Sequence, residues 1–258
     1  MTRKSASIRA AAALIEQSRR ILVFTGAGVS TESGIPDFRG PDGIWTRCDP
    51  EDFTIERFLN DPKTRTLHWN LFLNDTFGMI RVKPNAAHQA VTMLEKCGRL
   101  HAVVTQNVDG LHQKAGVSRD RVFELHGDLS HARCLDCSRR YPMETVVTWM
   151  HPGRSEPVCP DCGGMLKPDA VLFGEALPTE TLAAAEHHAA TCDLCLVMGS
   201  TLSVYPAALI PRYAVEAGAK LIIINLGATE LDYLAHIRIE GKAGEIAPRL
   251  IPPPPAVS

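Results

Sequence analysis

Four cysteines stand in two pairs, Cys134-Leu135-Asp136-Cys137 and Cys159-Pro160-Asp161-Cys162. Each pair sets two thiolates at a turn, and together they can share one tetrahedral Zn²⁺. Residues 138–158 separate the pairs, slightly more than the usual ribbon spacing, and an inserted loop absorbs the excess. Four thiolates leave no open position from the protein, so the metal would be structural rather than catalytic. A redox or disulfide reading fits two such knuckles together less well. Cys192 and Cys195 repeat the spacing, but Cys195 opens the apolar run Cys195-Leu196-Val197-Met198 and reads as a packed core thiol. Cys48 and Cys97 have no partner pattern.

A second chemical stretch follows the apolar run Ile21-Leu22-Val23-Phe24, which reads as a buried parallel strand. Gly26 and Gly28 allow a sharp turn and close approach to a ligand. The small residues around them would let a diphosphate reach backbone N–H groups at a helix start. The third glycine of a dinucleotide fingerprint is replaced by Thr31. A plain strand-to-helix turn accounts for the glycine pair equally well. Gly34, Pro36, Asp37, Phe38 and Arg39 then put a rigid turn, a carboxylate, an aromatic ring and a guanidinium on one loop, more than a connection needs.

Three more polar clusters follow apolar runs: residues 106–109 after 100–105, 199–201 after 193–198, and 225–227 after 220–224. Ligands of open α/β sheets bind at the carboxyl ends of strands, so these clusters suggest one crevice along a parallel sheet. Asn107 or Asp109 reads equally well as the N-cap of a following helix. His126 closes a short strand at 121–125, just before Gly127. A lone histidine is more often structural than catalytic.

In this order the motifs resemble the sirtuins, the NAD-dependent protein deacylases, over roughly residues 5–250. The matching pieces are the glycine loop, Gln106-Asn107-Val108-Asp109, His126-Gly127, the two cysteine knuckles, and Val171-Leu172-Phe173-Gly174-Glu175. The run Pro41-Asp42-Gly43-Ile44-Trp45 is similar to the branch, bacterial in type, that carries Pro-Asn-Gly-x-Trp. The resemblance implies that NAD is consumed as a co-substrate. Its contacts would be Gly26, Ala27, Gly28, Ser30, Thr31, Gly34, Ile35, Pro36, Asp37, Phe38, Arg39 and Trp45 from the loop. Gln106, Asn107, Val108, Asp109, Gly199, Ser200, Thr201, Asn225, Leu226, Gly227 and Ala243 would complete them. Sirtuins commonly have Gly-Thr-Ser where this chain has Gly199-Ser200-Thr201, so contacts through backbone N–H groups survive the exchange better than contacts through one hydroxyl.

By the same resemblance His126 is the general base that takes a proton from a ribose hydroxyl. Asn107 and Asp109 position nicotinamide and ribose, and Phe38 screens the reacting carbon. Cys134, Cys137, Cys159 and Cys162 hold one structural Zn²⁺. Val171, Phe173, Gly174 and Glu175 bind an acylated protein or peptide as an added strand, although an ordinary linker strand also fits. The implied reaction has the acyl-lysine carbonyl oxygen attack the ribose C1′. It gives nicotinamide, O-acyl-ADP-ribose and free lysine. The alternatives are a Rossmann dehydrogenase, disfavoured by the missing glycine; a protein mono-ADP-ribosyltransferase using the same NAD pocket; and an idle NAD sensor, against which His126 argues. Sirtuins that prefer succinyl-lysine carry Tyr-x-x-Arg in the helical lobe. Trp69 and Phe72 fall at those positions here, which implies acetyl or longer apolar acyl substrates.

The elements that must position these residues follow from pattern and composition. The chain has 258 residues, 45% hydrophobic and 22% charged, as a globular protein with a sizeable core should. One catalytic domain is expected over 1–258. It comprises a Rossmann-like α/β core (about 5–50, 84–127 and 170–251), a helical lobe (about 51–83) and a zinc module (about 128–169). A net charge of −2, with no basic stripe near the knuckles, points away from nucleic acid. Membrane binding is not expected either. The apolar run at 10–15 is short and closed by Glu16, Arg19 and Arg20. It reads as an amphipathic helix rather than a signal peptide, and with eight cysteines this suggests a reducing, cytoplasmic location. Helices are expected at 5–18, capped by Ser5 or Ser7; from Asp61-Pro62; and at 85–97, 181–191, 205–217 and 242–250. A last strand is expected at 236–239 and an extended tail at 252–255.

Overall fold

The computed structural model describes residues 3–75, 81–150 and 156–251. Helix α1 (Arg3–Gln17) leads into strand β1 (Ile21–Thr25), and helices α2 (Ile55–Asn60) and α3 (Pro62–Leu73) follow the glycine loop. Next come α4 (Ala86–Lys96), β2 (Leu100–Thr105), α5 (Leu111–Ala115) and β3 (Val122–Glu124). The segment β4 (Gly127–Cys134), β5 (Arg140–Pro142), α6 (Met143–Thr148) and β6 (Leu166–Ala170) stands apart. The chain then returns through α7 (Thr179–Thr191), β7 (Leu194–Met198), α8 (Leu209–Glu216), β8 (Lys220–Asn225), β9 (Ile237–Glu240) and α9 (Ala243–Leu250).

Six parallel strands form the main sheet in the order β3-β2-β1-β7-β8-β9. Helices cover both faces, which is why β1 and β7 are buried along their whole length. Along β1, Ile21 and Val23 pack with Ile8, Val91, Leu94 and Ile246 from α1, α4 and α9. Leu22 and Phe24 turn to the other face and pack with Ala189, Ile210 and Ala214 from α7 and α8. The chain leaves β1 toward β2 on one side and returns to β7 on the other, so a crevice opens at the carboxyl end of β1.

A second, antiparallel sheet has the order β5-β4-β6. Its small core holds Ala132, Met143, Val146 and Leu166, and α3 inserts Trp69 into it. The lobe helices and the cysteine-bearing sheet therefore share packing. Asp61 caps α3 by accepting from the Lys63 N–H at 2.9 Å, with Pro62 in the first turn. Asn85 and His88 form a capping box at α4.

Some expectations are corrected. Ser5 and Ser7 lie inside α1, so neither caps it. The glycine loop does not open a helix; it makes two 3₁₀ turns, Ala27–Val29 and Thr31–Ser33. The second ends at Gly34 with φ 98°, a left-handed position that glycine takes without strain. Helix α8 begins at Leu209 rather than 205, after a turn over residues 205–208. The expected tail at 252–255 lies outside the described residues. Among the described residues no helix is long and apolar enough to cross a membrane.

Candidate active site

The glycine loop is pinned to the end of β7. Gly26 N–H donates to Met198 O at 3.2 Å and Gly28 N–H to Gly199 O at 2.9 Å. A Cβ on Gly28 would stand 2.9 Å from Gly199 Cα, and one on Gly26 would stand 2.8 Å from Ser200 Cβ. The glycines thus permit a backbone-to-backbone contact within the protein, which sequence alone could not separate from contact with a ligand.

This contact sets Ser30 against the end of β2. Ser30 Oγ donates to Asp109 Oδ2 at 2.7 Å, and Asn107 Nδ2 donates to Ser30 Oγ at 3.1 Å and to Gly26 O at 3.2 Å. Asp109 Oδ1 accepts the Leu111 N–H at 2.9 Å, so its carboxylate meets both the first residue of α5 and the loop. The N-cap of α5 is therefore Gly110, not Asn107 or Asp109 as the sequence suggested; Asp109 stands one residue before it. Ser200 Oγ donates to Gln106 Oε1 at 2.7 Å and brings the β7 cluster into the same network.

His126 sits on the far side of this network. Its Nδ1 lies 2.9 Å from Gln106 O. A carbonyl only accepts, so Nδ1 carries the proton and Nε2 is the bare nitrogen. Burial holds the imidazole pKa below the ordinary 6.5, against a smaller upward pull from that hydrogen bond. The residue is therefore neutral at pH 7, with a lone pair available as a base.

Part of this network faces one cavity of about 1420 Å³. Ala27, Ser30, Gln106, Asn107, Val108, Asp109 and His126 line it, as do Ile35, Pro36, Phe38, Arg39 and Trp45 from the loop. Phe38 and Trp45 pack as tilted rings with centroids 5.1 Å apart, and Trp45 continues to Phe53 at 5.1 Å and Phe173 at 6.1 Å. Arg39 is exposed at the cavity wall and makes no hydrogen bond or ion pair among the described residues. Asp37 instead serves the loop itself: its Oδ1 accepts the Gly40 N–H at 2.7 Å. Thr31 and Gly34 line a shallower neighbouring depression with Asp37.

Val171, Phe173, Gly174 and Glu175 line the opposite wall. The Val171 N–H donates to His126 O at 2.8 Å. Phe173 already uses both backbone groups on the lobe, donating to Phe53 O at 2.9 Å and accepting from Ile55 N–H at 2.9 Å. Glu175 accepts from Leu172 N–H at 2.7 Å and pairs with the buried Lys167 at 3.0 Å. Glu175 thus braces this segment from within. Of the two lobe aromatics, Phe72 lines the cavity beside His68 and Leu71, whereas Trp69 faces the cysteine module and is fully buried there.

The cysteine pairs converge as their spacing implies. The four Sγ atoms lie within 4.8 Å of one another, with 3.5 Å between Cys134 and Cys162 and 3.7 Å between Cys137 and Cys159. Tetrahedral Zn–S bonds of about 2.3 Å require sulfurs about 3.8 Å apart, so this cage fits zinc. Cys192 and Cys195 are buried core thiols outside it.

Comparison with known proteins settles the family. The Sir2 family model matches residues 26–206. The chain belongs to the Sir2 family. It is 46% identical over 240 residues to NAD-dependent protein deacetylase 1 of Pyrobaculum aerophilum, covering 93% of this chain and 92% of that one. It is 45% identical over 246 residues to NAD-dependent protein deacylase 2 of Archaeoglobus fulgidus, covering 95% and 94%. A solved Sir2 structure with a p53 peptide and NAD⁺ superposes with TM-score 0.81 at 38% identity, covering 92% and 94%.

Some Sir2-motif residues named from sequence lie away from the cavity walls. Gly26, Gly28, Gly199 and Ser200 form the loop-to-β7 contact, and Thr201 is exposed beside it. Asn225 donates to its neighbours Leu226 O and Gly227 O, at 3.3 and 3.1 Å. Ala243 is buried at the start of α9, where Glu32 accepts the Gly244 N–H at 2.6 Å. That brace between loop and α9 had no signal in the sequence.

Glu124, also unforeseen, lines the cavity two residues before His126. Burial, with Asp128 and Asp109 nearby, pushes its pKa from 4.5 to about 7, against a hydrogen bond from Gln113. A carboxyl that protonates more readily when folded adds stability below about 4.5 and loses it as pH rises through about 7. Glu124→Gln is therefore expected to melt higher than the parent at pH 8, with the gap closing by about pH 4.5. Thermal melts at both pH values test this; a gap independent of pH would show that Glu124 ionises normally.

Proposed function

We propose that this chain removes acyl groups from protein lysine at the expense of NAD. With one water consumed, the products are nicotinamide, O-acyl-ADP-ribose and free lysine. The observation that carries this reading is the single cavity that joins an unprotonated His126 Nε2 to the Ser30–Asn107–Asp109 network and to Arg39, which has no partner among the described residues. These groups suit a dinucleotide: amide and carboxylate partners for a carboxamide and a ribose, and a free cation for a diphosphate. The named activities of the Pyrobaculum and Archaeoglobus relatives support it.

Bound NAD supplies an electrophilic ribose carbon, C1′, with nicotinamide as its leaving group. His126 Nε2 accepts a proton from a ribose hydroxyl, and Gln106 O holds the ring in that tautomer. Asn107 and Asp109 orient nicotinamide and ribose, with Ser30 fixing both side chains. Phe38 and Trp45 keep water from the reacting carbon. The segment from Val171 to Glu175 receives the acylated peptide. Cys134, Cys137, Cys159 and Cys162 hold structural zinc. Thiolates of this kind suit a reducing compartment, and we place the protein in the cytoplasm.

The wall built by α3 sets the acyl preference. His68, Leu71 and Phe72 line it. Arg65 is occupied with Glu156 at 2.7 Å, and Lys167 Nζ with Glu175 at 3.0 Å. Among the described residues of that wall, an acyl carboxylate would be desolvated without an unpaired cation beside it. Succinyl-lysine is expected to have a kcat/KM at least about tenfold below the better of acetyl- and octanoyl-lysine. Mass analysis of one peptide carrying each acyl group, incubated with NAD, tests both reaction and preference. A succinyl value matching the best substrate would overturn the pocket argument, and no peptide-dependent nicotinamide release would overturn the function.

A further inference from the structure

Two histidines outside the cavity are buried against each other, one of them, His88, in the capping box of α4. His88 on α4 is 0% exposed and His112 on α5 is 1% exposed, with ring centroids 5.0 Å apart. Leucine or phenylalanine would fill such space without desolvating ring nitrogens, which is costly unless they are satisfied. What distinguishes this pair is what each ring touches on its outer side.

His88 reaches the glycine loop. Its Nδ1 accepts the Asn85 N–H at 3.3 Å, and Asn85 Nδ2 donates to Val29 O at 2.8 Å and to Ser33 Oγ at 3.0 Å. His112 reaches the end of β2. Its Nε2 lies 3.0 Å from Thr25 Oγ1, which donates to Thr105 Oγ1 at 2.8 Å; Thr105 Oγ1 also accepts the Asn107 N–H at 3.0 Å.

These partners fix both tautomers. His88 Nδ1 accepts, so its proton is on Nε2. Thr25 gives its own proton to Thr105, so His112 Nε2 donates and Nδ1 is bare. The two ring atoms that remain, His88 Nε2–H and His112 Nδ1, are buried and have no hydrogen-bond partner among the described residues. One is a donor and the other an acceptor, in adjacent rings. Burial keeps both imidazoles neutral, His88 at about 4 despite the nearby Asp109 carboxylate and His112 well below 6.5.

We propose that His88 and His112 are positioning residues for the dinucleotide site, a buried neutral pair that holds the loop at Val29 and Ser33 in register with Asn107. Neither residue lines the cavity. They act through Asn85 on one side and through Thr25 and Thr105 on the other. The inference rests on the NAD reading above.

The test is calorimetric titration of the zinc-loaded protein with NAD and, separately, with an acetyl-lysine peptide. His112→Phe keeps the volume and removes the donor to Thr25. It is expected to raise the NAD Kd about tenfold or more while the peptide Kd moves less than about twofold. His112→Gln, whose amide can donate to Thr25, should recover most of the loss. An unchanged NAD Kd in His112→Phe, with only a lower Tm, would reduce the pair to core packing and overturn the proposal. If His112→Phe fails to fold, Thr25→Val breaks the same path, and an NAD Kd equal to the parent's overturns the proposal. A parent protein that binds no NAD would overturn the functional reading and this inference with it.

Discussion

Replacing His126 with alanine should lower kcat for lysine deacylation by about 10²-fold or more, while NAD affinity and zinc content persist. The expectation follows from the division of labour on the ring. Nδ1 is committed to Gln106 O, and the cavity network from Ser30 to Asp109 is built without His126. Removing the imidazole deletes the base and leaves the groups that would hold the dinucleotide. The pH profile supplies an independent check. Because burial lowers the His126 pKa below 6.5, kcat/KM should rise with pH through a value below 6.5 and then level. Near-parental turnover in His126→Ala would remove the proposed base.

The second large effect is expected at the metal. Cys134→Ser should abolish stoichiometric zinc, lower Tm sharply and reduce activity together. Structural zinc contributes about 10–16 kcal/mol of apparent binding free energy, comparable to the whole stability of a domain at about 5–15 kcal/mol. Cys134 is fully buried at the end of β4, in the same small core as Trp69, Met143 and Leu166. The damage should reach the active site because β4 starts directly after His126, and Val171, just past β6, donates to His126 O. Cys192→Ser should keep full zinc. Metal analysis reads both variants; soluble, active protein without zinc would refute the site, and zinc loss in Cys192→Ser would mean the wrong pairs were chosen.

Much of the scaffold was legible because a parallel sheet buried on both faces must use continuous apolar runs. The strands at Ile21, Leu100, Leu194 and Lys220 announce themselves that way, and the polar clusters behind the first two locate the crevice, while those behind the other two lie away from its walls. Cysteine spacing identified the metal cage for an equally local reason. The lobe was harder. Helix α3 carries apolar residues around much of its circumference, since Trp69 faces the cysteine module while Leu71 and Phe72 face the cavity. No one-sided stripe tells which ring enters the pocket. The braces were illegible for another reason. Glu32 on Gly244 and His88 beside His112 join residues far apart in sequence, and each residue alone reads as an ordinary surface or helix position.

Product stoichiometry tests the central claim most directly, using NAD labelled in its ADP-ribose half and an acetyl-lysine peptide. Nicotinamide, deacetylated peptide and labelled O-acetyl-ADP-ribose are expected in equal amounts, with no label on protein or peptide. Label attached to protein, or nicotinamide released without loss of acetyl, would contradict deacylation as the reaction of this chain.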